Sequence, residues 1–283
     1  MFGFLNVYKP KGKTSHDVVA FFRRVTKIKQ IGHTGTLDPF AEGVLPICLG
    51  KSTRLIEYLD DDKAYISTVQ LGAATTTYDI EGEITKTSNQ NITLELIEKE
   101  LVNFRGNIEQ YPPIYSAIKV NGKKLYDYAR SGESVEIKPR NVVIYELKIK
   151  HYDFEKRILE LYIACSKGTY IRSIANDLGE NLGIYGHLIK LVRVKAGKFD
   201  IDNAMHLEEL NEVEYIKANL INPIEYLSYP RYELNEKEKL QVLNGMKIHT
   251  ESSDGLTLLV QNKKIIAIGE TQNAETKCLK VFN

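Results

Sequence analysis

One aspartate, set among glycines, is the residue of this chain best placed to do chemistry. Asp38 follows Gly32 and Gly35, precedes Pro39, and is followed again by Gly43. A tight loop of this kind, carried on a rigid scaffold, can aim a single side chain at a substrate. At neutral pH an ordinary Asp is ionised and able to act as a nucleophile. Standing alone, an Asp before a proline is as well explained by a turn or a helix cap. Other chemistries find less support. Gly50-Lys51-Ser52 suggests a phosphate loop, but the glycine required at position 45 is a leucine. Gly122-Lys123-Lys124 fails in the same way, with Ala117 where the first glycine belongs. The six histidines, at 16, 33, 151, 187, 206 and 249, fall in no metal-ligand spacing. His33, flanked by Gly32, reads either as an exposed ring able to stack on a base or as a solvated loop histidine. No metal and no cofactor are expected.

These candidates need elements to hold them. From Ser15 onward Val18, Phe21, Phe22, Val25 and Ile28 recur at helical spacing, Ser15 is a candidate cap, and Arg23, Arg24 and Lys27 lie off the apolar stripe. Residues 31–50 carry six Gly or Pro and read as a loop leading into a short buried strand at 44–49. A strand is expected at 64–71 and a helix at 93–104, closed by Gly106. Alternation is clearest at 142–150 and 157–165, two strands of a hairpin turning through 153–156. A helix at 169–182 ends at Gly183, and three short strands are expected at 256–260, 265–268 and 278–282. The expected architecture is α+β: a mixed, mainly antiparallel sheet with flanking helices, then a small C-terminal β domain. Its boundaries are 1–228, with an insert at about 73–140, and 229–283.

Bulk charge says little about partners, because 38 Lys and Arg nearly balance 37 Asp and Glu. The distribution says more. Residues 1–30 carry seven bases against Asp17, and 186–198 add Lys190, Arg193, Lys195 and Lys198 with no acid. Residues 207–240 hold eight acids against four bases. Such segregation fits one basic face, and equally a set of scattered solvated faces. Cys48, Cys165 and Cys278 are too few and too far apart for a disulfide framework, and no apolar run approaches the ~20 residues of a membrane span. A reducing, cytoplasmic compartment is expected, with no membrane partner.

Several segments, in one order, resemble the TruB-type tRNA pseudouridine synthases. Residues 32–46, from Gly-His-Thr-Gly-Thr-Leu-Asp-Pro to Val-Leu-Pro, look like the family's central motif, and 6–15, with Lys9 and Pro10, like its N-terminal Lys-Pro motif. Asp62-Lys63-Ala64-Tyr65 resembles the segment holding the active-site tyrosine, and 165–172 the one holding the active-site arginine. Residues 111–119 and 188–193 also match, so the likeness spans roughly 5–200. The resemblance implies that Asp38 attacks the target nucleoside. Tyr65 would stack on the uracil and take part in removing its C5 proton, and Arg172 would pair with Asp38. Tyr170 and Leu191 would wall the base pocket, with Lys9 and Pro10 supporting its floor. His33 would fill the space left by the flipped base, while Lys190, Arg193, Arg23 and Arg24 would meet RNA. It also implies a PUA-like C-terminal domain.

The activity so implied is isomerisation of uridine in the tRNA T-loop, at position 55 of tRNA numbering, by a monomeric enzyme. It needs no redox change and no energy input. The base must leave its stack, at a cost of about a few kcal/mol that pocket contacts offset. Three other readings compete: a guide-RNA-dependent synthase, a non-catalytic tRNA-binding or folding module, and a carboxylate-pair glycosidase. The joint presence of Asp38, Tyr65 and Arg172 disfavours a pure binder. No second carboxylate in a comparable loop supports a glycosidase.

Overall fold

The computed structural model describes residues 1–282. The chain opens on β1 (Gly3–Lys9), then α1 (Ser15–Thr26), β2 (Ile31–His33), β3 (Glu42–Leu49) and β4 (Lys63–Leu71). Helix α1 buries Val18 and Phe22 of the expected stripe, with Val19 beside them. Its cap is Thr14, not Ser15. The Thr14 side chain accepts the Asp17 N–H while the Asp17 carboxylate accepts the Thr14 N–H, a reciprocal capping box. Ser15, one position inside the helix, is thereby free to bond elsewhere.

These strands join one ten-stranded mixed sheet. Its main path runs Met205–His206, β1, β3, Gly186–Ala196, β4, Ile158–Cys165, Arg140–Asp153 and Gly106–Gln110. β2 pairs with β3, and most neighbours are antiparallel, but Gly186–Ala196 runs parallel to β3. The two strands expected as a hairpin are Arg140–Asp153 and Ile158–Cys165. Helices α2 (Leu94–Leu101) and α4 (Ile171–Asn181) cover the sheet with α1, contributing Ile97, Leu101, Ile171, Ile174 and Leu178 to one core with Leu5, Leu45, Val69 and Leu161. A short α3 (Leu125–Ser131) lies off the sheet, beside a two-stranded ribbon.

Two expectations change. The segment 73–140 is not wholly an insert, because α2 packs in the core and Gly106–Gln110 forms the sheet's outer strand. The basic stretch 186–198 is not a surface run but a strand between β3 and β4, in the middle of the sheet. Register shifts between Leu188 and Lys190 and between Arg193 and Lys195 interrupt its two-residue alternation. Such bulges change which face a side chain occupies. Lys190 stays exposed, while Arg193 turns fully inward.

Beyond residue 230 a second sheet of five strands runs Arg231–Glu233, Gly255–Gln261, Lys264–Gln272, Glu275–Val281 and Ile248–His249. This small C-terminal β domain shares a core with the main sheet, where Phe4, Val44 and Leu55 meet Leu258, Val260, Ile268 and Phe282. No helix among the described residues is long and apolar enough to cross a membrane, and all three cysteines are free.

Close pairing at the sheet centre depends on Gly43. Its φ is 105°, and a Cβ there would lie 2.3 Å from the Arg193 carbonyl oxygen. Gly43→Ala is expected to destabilise the fold by more than about 2 kcal/mol, since backbone on both sides cannot yield. Urea unfolding checks this, and an unchanged midpoint would contradict the clash.

Candidate active site

Asp38 lies in the loop between β2 and β3, and that loop is pinned from several sides. The Leu37 N–H donates to Ser15 Oγ at 2.8 Å, and the Ser15 hydroxyl donates back to the Leu37 carbonyl at 3.1 Å. The Gly12 N–H donates to the Pro39 carbonyl at 2.8 Å. Arg193 reaches the Gly35 carbonyl at 3.0 Å, and Thr34 N–H the Pro46 carbonyl at 3.2 Å. The Ser15 pair is buried and cannot be replaced by water. Ser15→Ala strands both Leu37 groups, so a loss of about 1–3 kcal/mol and a fall in turnover are expected. Thermal unfolding and single-turnover rates measure the two. Wild-type values for both would mean that Ser15 does not hold the loop.

Asp38 Oδ2 sits 3.0 Å from Arg172 Nε, on the wall of a cavity of about 290 Å³ that both line. The Nε–H is not aligned on the oxygen, so the contact is ionic rather than a directed hydrogen bond. Tyr65, Tyr170, Leu191, Ile171, Lys63 and the loop 35–37 complete most of the wall. Protein surrounds the Asp38 carboxyl, yet its side chain keeps 36% of its surface exposed, opening on the cavity it lines. Burial raises its pKa, Arg172 and Lys9 pull it down, and Asp79 pushes it up, with a net rise. The carboxylate is thus less comfortable than a free one, as a reactive anion must be.

Arg172, at the first turn of α4, is almost wholly buried and ties three segments together. Besides Asp38 it contacts Asp79 Oδ2 at 3.3 Å, the Thr77 carbonyl at 3.1 Å and the Tyr115 carbonyl at 2.9 Å. Asp79 is itself buried, and its Oδ1 accepts the Thr77 hydroxyl and the Glu81 N–H. Reading the sequence missed Asp79. It follows Thr75-Thr76-Thr77-Tyr78, and an acid in such a polar run looks like a solvated turn; only the docking of this turn on Leu188 buries it. Gln110 clamps Tyr170 in place, accepting its N–H at 2.8 Å and donating to its carbonyl at 3.0 Å.

The other expected residues are distributed as follows. Lys9 is fully buried below the loop, its ammonium donating to the carbonyls of Pro10 at 3.1 Å and Lys13 at 2.6 Å. Burial lowers its pKa to about 8, with Asp38 opposing that shift. His33, on β2, is half-buried outside the cavity lining, and burial lowers its pKa. Lys190, Arg23 and Arg24 are exposed, with Lys190 3.7 Å from Glu42. Arg193 is the correction. It was expected to meet RNA, but it is 0% exposed and directs its guanidinium at the Val44, Gly35 and Thr36 carbonyls. Lys63, on the cavity wall, was noticed only as part of a motif.

A pinned carboxylate facing a cation, in a pocket of small-molecule size lined by aromatic and apolar groups, is equipped to attack one ring and hold it. Comparison with known proteins agrees. The TruB family pseudouridylate synthase N-terminal domain matches residues 23–171, and the tRNA pseudouridylate synthase B C-terminal domain matches 172–228. The chain is 42% identical over 285 residues to the tRNA pseudouridine synthase B of Caldanaerobacter subterraneus subsp. tengcongensis, covering 99% of each chain. It is 40% identical to that of Staphylococcus aureus strain N315, again over 99% of both. Among solved structures, a Cbf5-Nop10-Gar1 complex has a chain of the same fold, with TM-score 0.74 and 24% identity, covering 100% of this chain and 85% of that one. With a family model over more than half its length and full-length relatives at about 40% identity, the chain belongs to the TruB family of pseudouridylate synthases.

Proposed function

We propose that this chain isomerises uridine to pseudouridine in the T-loop of tRNA, with Asp38 as nucleophile and no cofactor, acting as a single chain in the cytoplasm. The observation that carries this reading is the Asp38–Arg172 contact at 3.0 Å in a cavity lined also by Tyr65. Arg172 holds the carboxylate ionised and turned toward the cavity. A uracil flipped from its stack lies between Tyr65, Tyr170 and Leu191, its new contacts offsetting the lost stacking. Tyr65 takes up the C5 proton. His33 occupies the gap in the RNA loop, and Lys190, Arg23 and Arg24 meet phosphates. Residues 1–228 carry the chemistry, and 229–283 extend the RNA contact.

The test uses an unmodified tRNA transcript, without ATP or added metal, and maps pseudouridine by chemical probing. Conversion at the T-loop uridine is the expected result; conversion elsewhere or none would refute the proposal. For the binding face, Lys190→Ala is expected to weaken tRNA affinity and reduce the slope of log K against log salt by roughly 0.7–0.9, the value for one phosphate contact. Filter binding across a salt series measures it. An unchanged slope removes Lys190 from the RNA face.

A further inference from the structure

Arg193 is a full positive charge in the centre of the sheet, with no surface exposed and, among the described residues, no salt bridge to a carboxylate. It pairs with Gly43 across the parallel edge of its strand and with Tyr65 across the antiparallel edge. The missing side chain at Gly43 admits the Arg193 backbone, whose carbonyl oxygen lies 2.3 Å from where a Cβ would stand, while the guanidinium turns back along β3. Its Nε–H donates to the Val44 carbonyl at 2.7 Å, and Nη2 to the Gly35 carbonyl at 3.0 Å. Nη1 lies 3.4 Å from the Thr36 carbonyl. Two of these carbonyls belong to the loop that carries Asp38. Tyr65 stands directly opposite Arg193 in the antiparallel register, and its hydroxyl is the group on which the guanidinium acts.

A guanidinium can only donate, so toward Arg193 the Tyr65 oxygen can serve only as an acceptor. Acceptance uses one lone pair of the phenol and leaves the O–H free to point elsewhere. Tyr65 is buried and lines the cavity next to Asp38. We propose that Arg193 is a positioning residue of the isomerisation, fixing the Tyr65 hydroxyl in the cavity and supplying the charge against which its phenolate forms to accept the C5 proton. The step balances: the Tyr65 O–H proton passes to ring N1, the phenolate oxygen takes the C5 proton, the C–H electron pair restores the C5=C6 double bond, and the C6=N1 pair it displaces becomes the new N1–H bond. The inference rests on Tyr65 being the acceptor of that proton, as proposed above.

The surroundings favour it. From the strand Gly186–Ala196 Tyr65 faces Arg193, from Ile158–Cys165 it faces Cys165, and from the catalytic loop Asp38. Lys9, Lys63 and His33 also lie within the influence of Arg193. Burial pushes the phenol up to about 12, with Cys165 and Asp38 adding to the rise, and Arg193 is the group that opposes it. Without Arg193, a phenolate at this depth would have no cation in contact with it.

The experiment measures single-turnover conversion of a tRNA whose target uridine carries deuterium at C5, against the protiated tRNA. Arg193→Lys keeps the charge but not the fork of donors, and Arg193→Gln keeps donors without charge. Both are expected to slow conversion about 10–100-fold, to hold tRNA affinity within about threefold, and to raise the C5 isotope effect above the wild-type value. Circular dichroism identifies a variant that does not fold, in which case the other decides. A third protein carries difluorotyrosine at position 65 with Arg193 intact. Its weaker conjugate base should also raise the isotope effect. If that protein shows the rise and the folded Arg193 variant does not, Arg193 has no part in the proton step while the role of Tyr65 stands. If the difluorotyrosine protein shows no rise, Tyr65 is not the acceptor and both readings fall. Should neither Arg193 variant fold, the phenol of difluorotyrosine at position 65 is titrated by ¹⁹F NMR in the intact chain. An Arg193 guanidinium ¹⁵N resonance that shifts with this titration supports the proposal, and one that does not move overturns it.

Discussion

Asp38→Asn is expected to abolish conversion of tRNA, lowering the single-turnover rate by about 10⁴-fold or more while leaving tRNA affinity within about threefold. The size follows from removing a covalent nucleophile, whose loss no binding contact replaces. Affinity should survive because the change is isosteric and Asp38 is one small part of a wide RNA contact. The same substitution has an expected effect of opposite sign on stability. Burial raises the Asp38 pKa above its ordinary value, so the folded state binds this proton more tightly than the unfolded chain does. A raised carboxyl is destabilised by ionisation, and stability falls as pH rises through the interval between the unfolded and folded values. The cost is fully present once pH exceeds the folded value. The neutral amide escapes it, and Arg172 retains Asp79 as its counter-ion. Asp38→Asn should therefore melt at or above the wild-type temperature at pH 7 while being inactive. The shift also places the acid limb of wild-type activity above the usual carboxylate range. Differential scanning calorimetry and a pH–rate profile check both. An active Asp38→Asn would remove the nucleophile assignment, and a large drop in melting temperature would mean that the carboxylate stabilises the fold instead.

How far the sequence foretold this site depends on what each residue needs from the chain. Asp38 was legible because glycines and a proline in close spacing leave few conformations, and the fold adds the pins at Leu37, Pro39 and Gly35. Amphipathic α1 and the strands Arg140–Asp153 and Ile158–Cys165 were legible because each has one buried and one wet face. β1 went unnoticed since nearly every residue in it is buried, and without a polar face alternation disappears. The strand Gly186–Ala196 was obscured by two register shifts, and with it the inward course of Arg193. Asp79 was hidden for a different reason. Its burial comes from a contact between a turn and a distant strand, which no local pattern encodes. The cap of α1 shows how small such differences can be. A shift of one residue, from Ser15 to Thr14, releases the Ser15 hydroxyl to hold the loop that carries Asp38.

Arg172 unites the Asp38 carboxylate with the rest of the fold, and its replacement should have the second largest consequence. Arg172→Met removes one cation from between two carboxylates, Asp38 at 3.0 Å and Asp79 at 3.3 Å. Asp79 is almost inaccessible, with 4% of its side chain exposed, so water cannot take over. Breaking a buried pair by deleting one partner typically costs about 3–5 kcal/mol, because the remaining charge is left uncompensated. The carbonyls of Thr77 and Tyr115 lose their donors as well, and with them the ties to the segments at 75–82 and 111–118. Activity should fall with stability but through a separable route. Arg172 is the main group drawing the Asp38 pKa down, so without it the carboxyl titrates still higher and the acid limb of activity moves to higher pH. Arg172→Lys distinguishes the two effects. A lysine restores charge near Asp38 but lacks the planar fork needed to reach Asp79, Thr77 and Tyr115 at once. It should recover part of the pH shift and little of the stability. Urea unfolding at pH 7 gives the stability change, and single-turnover rates across pH give the displacement of the limb. An Arg172→Met protein with a wild-type urea midpoint would show that the buried network is not strongly coupled to folding. A wild-type acid limb in the same protein would show that Arg172 does not govern the ionisation of Asp38.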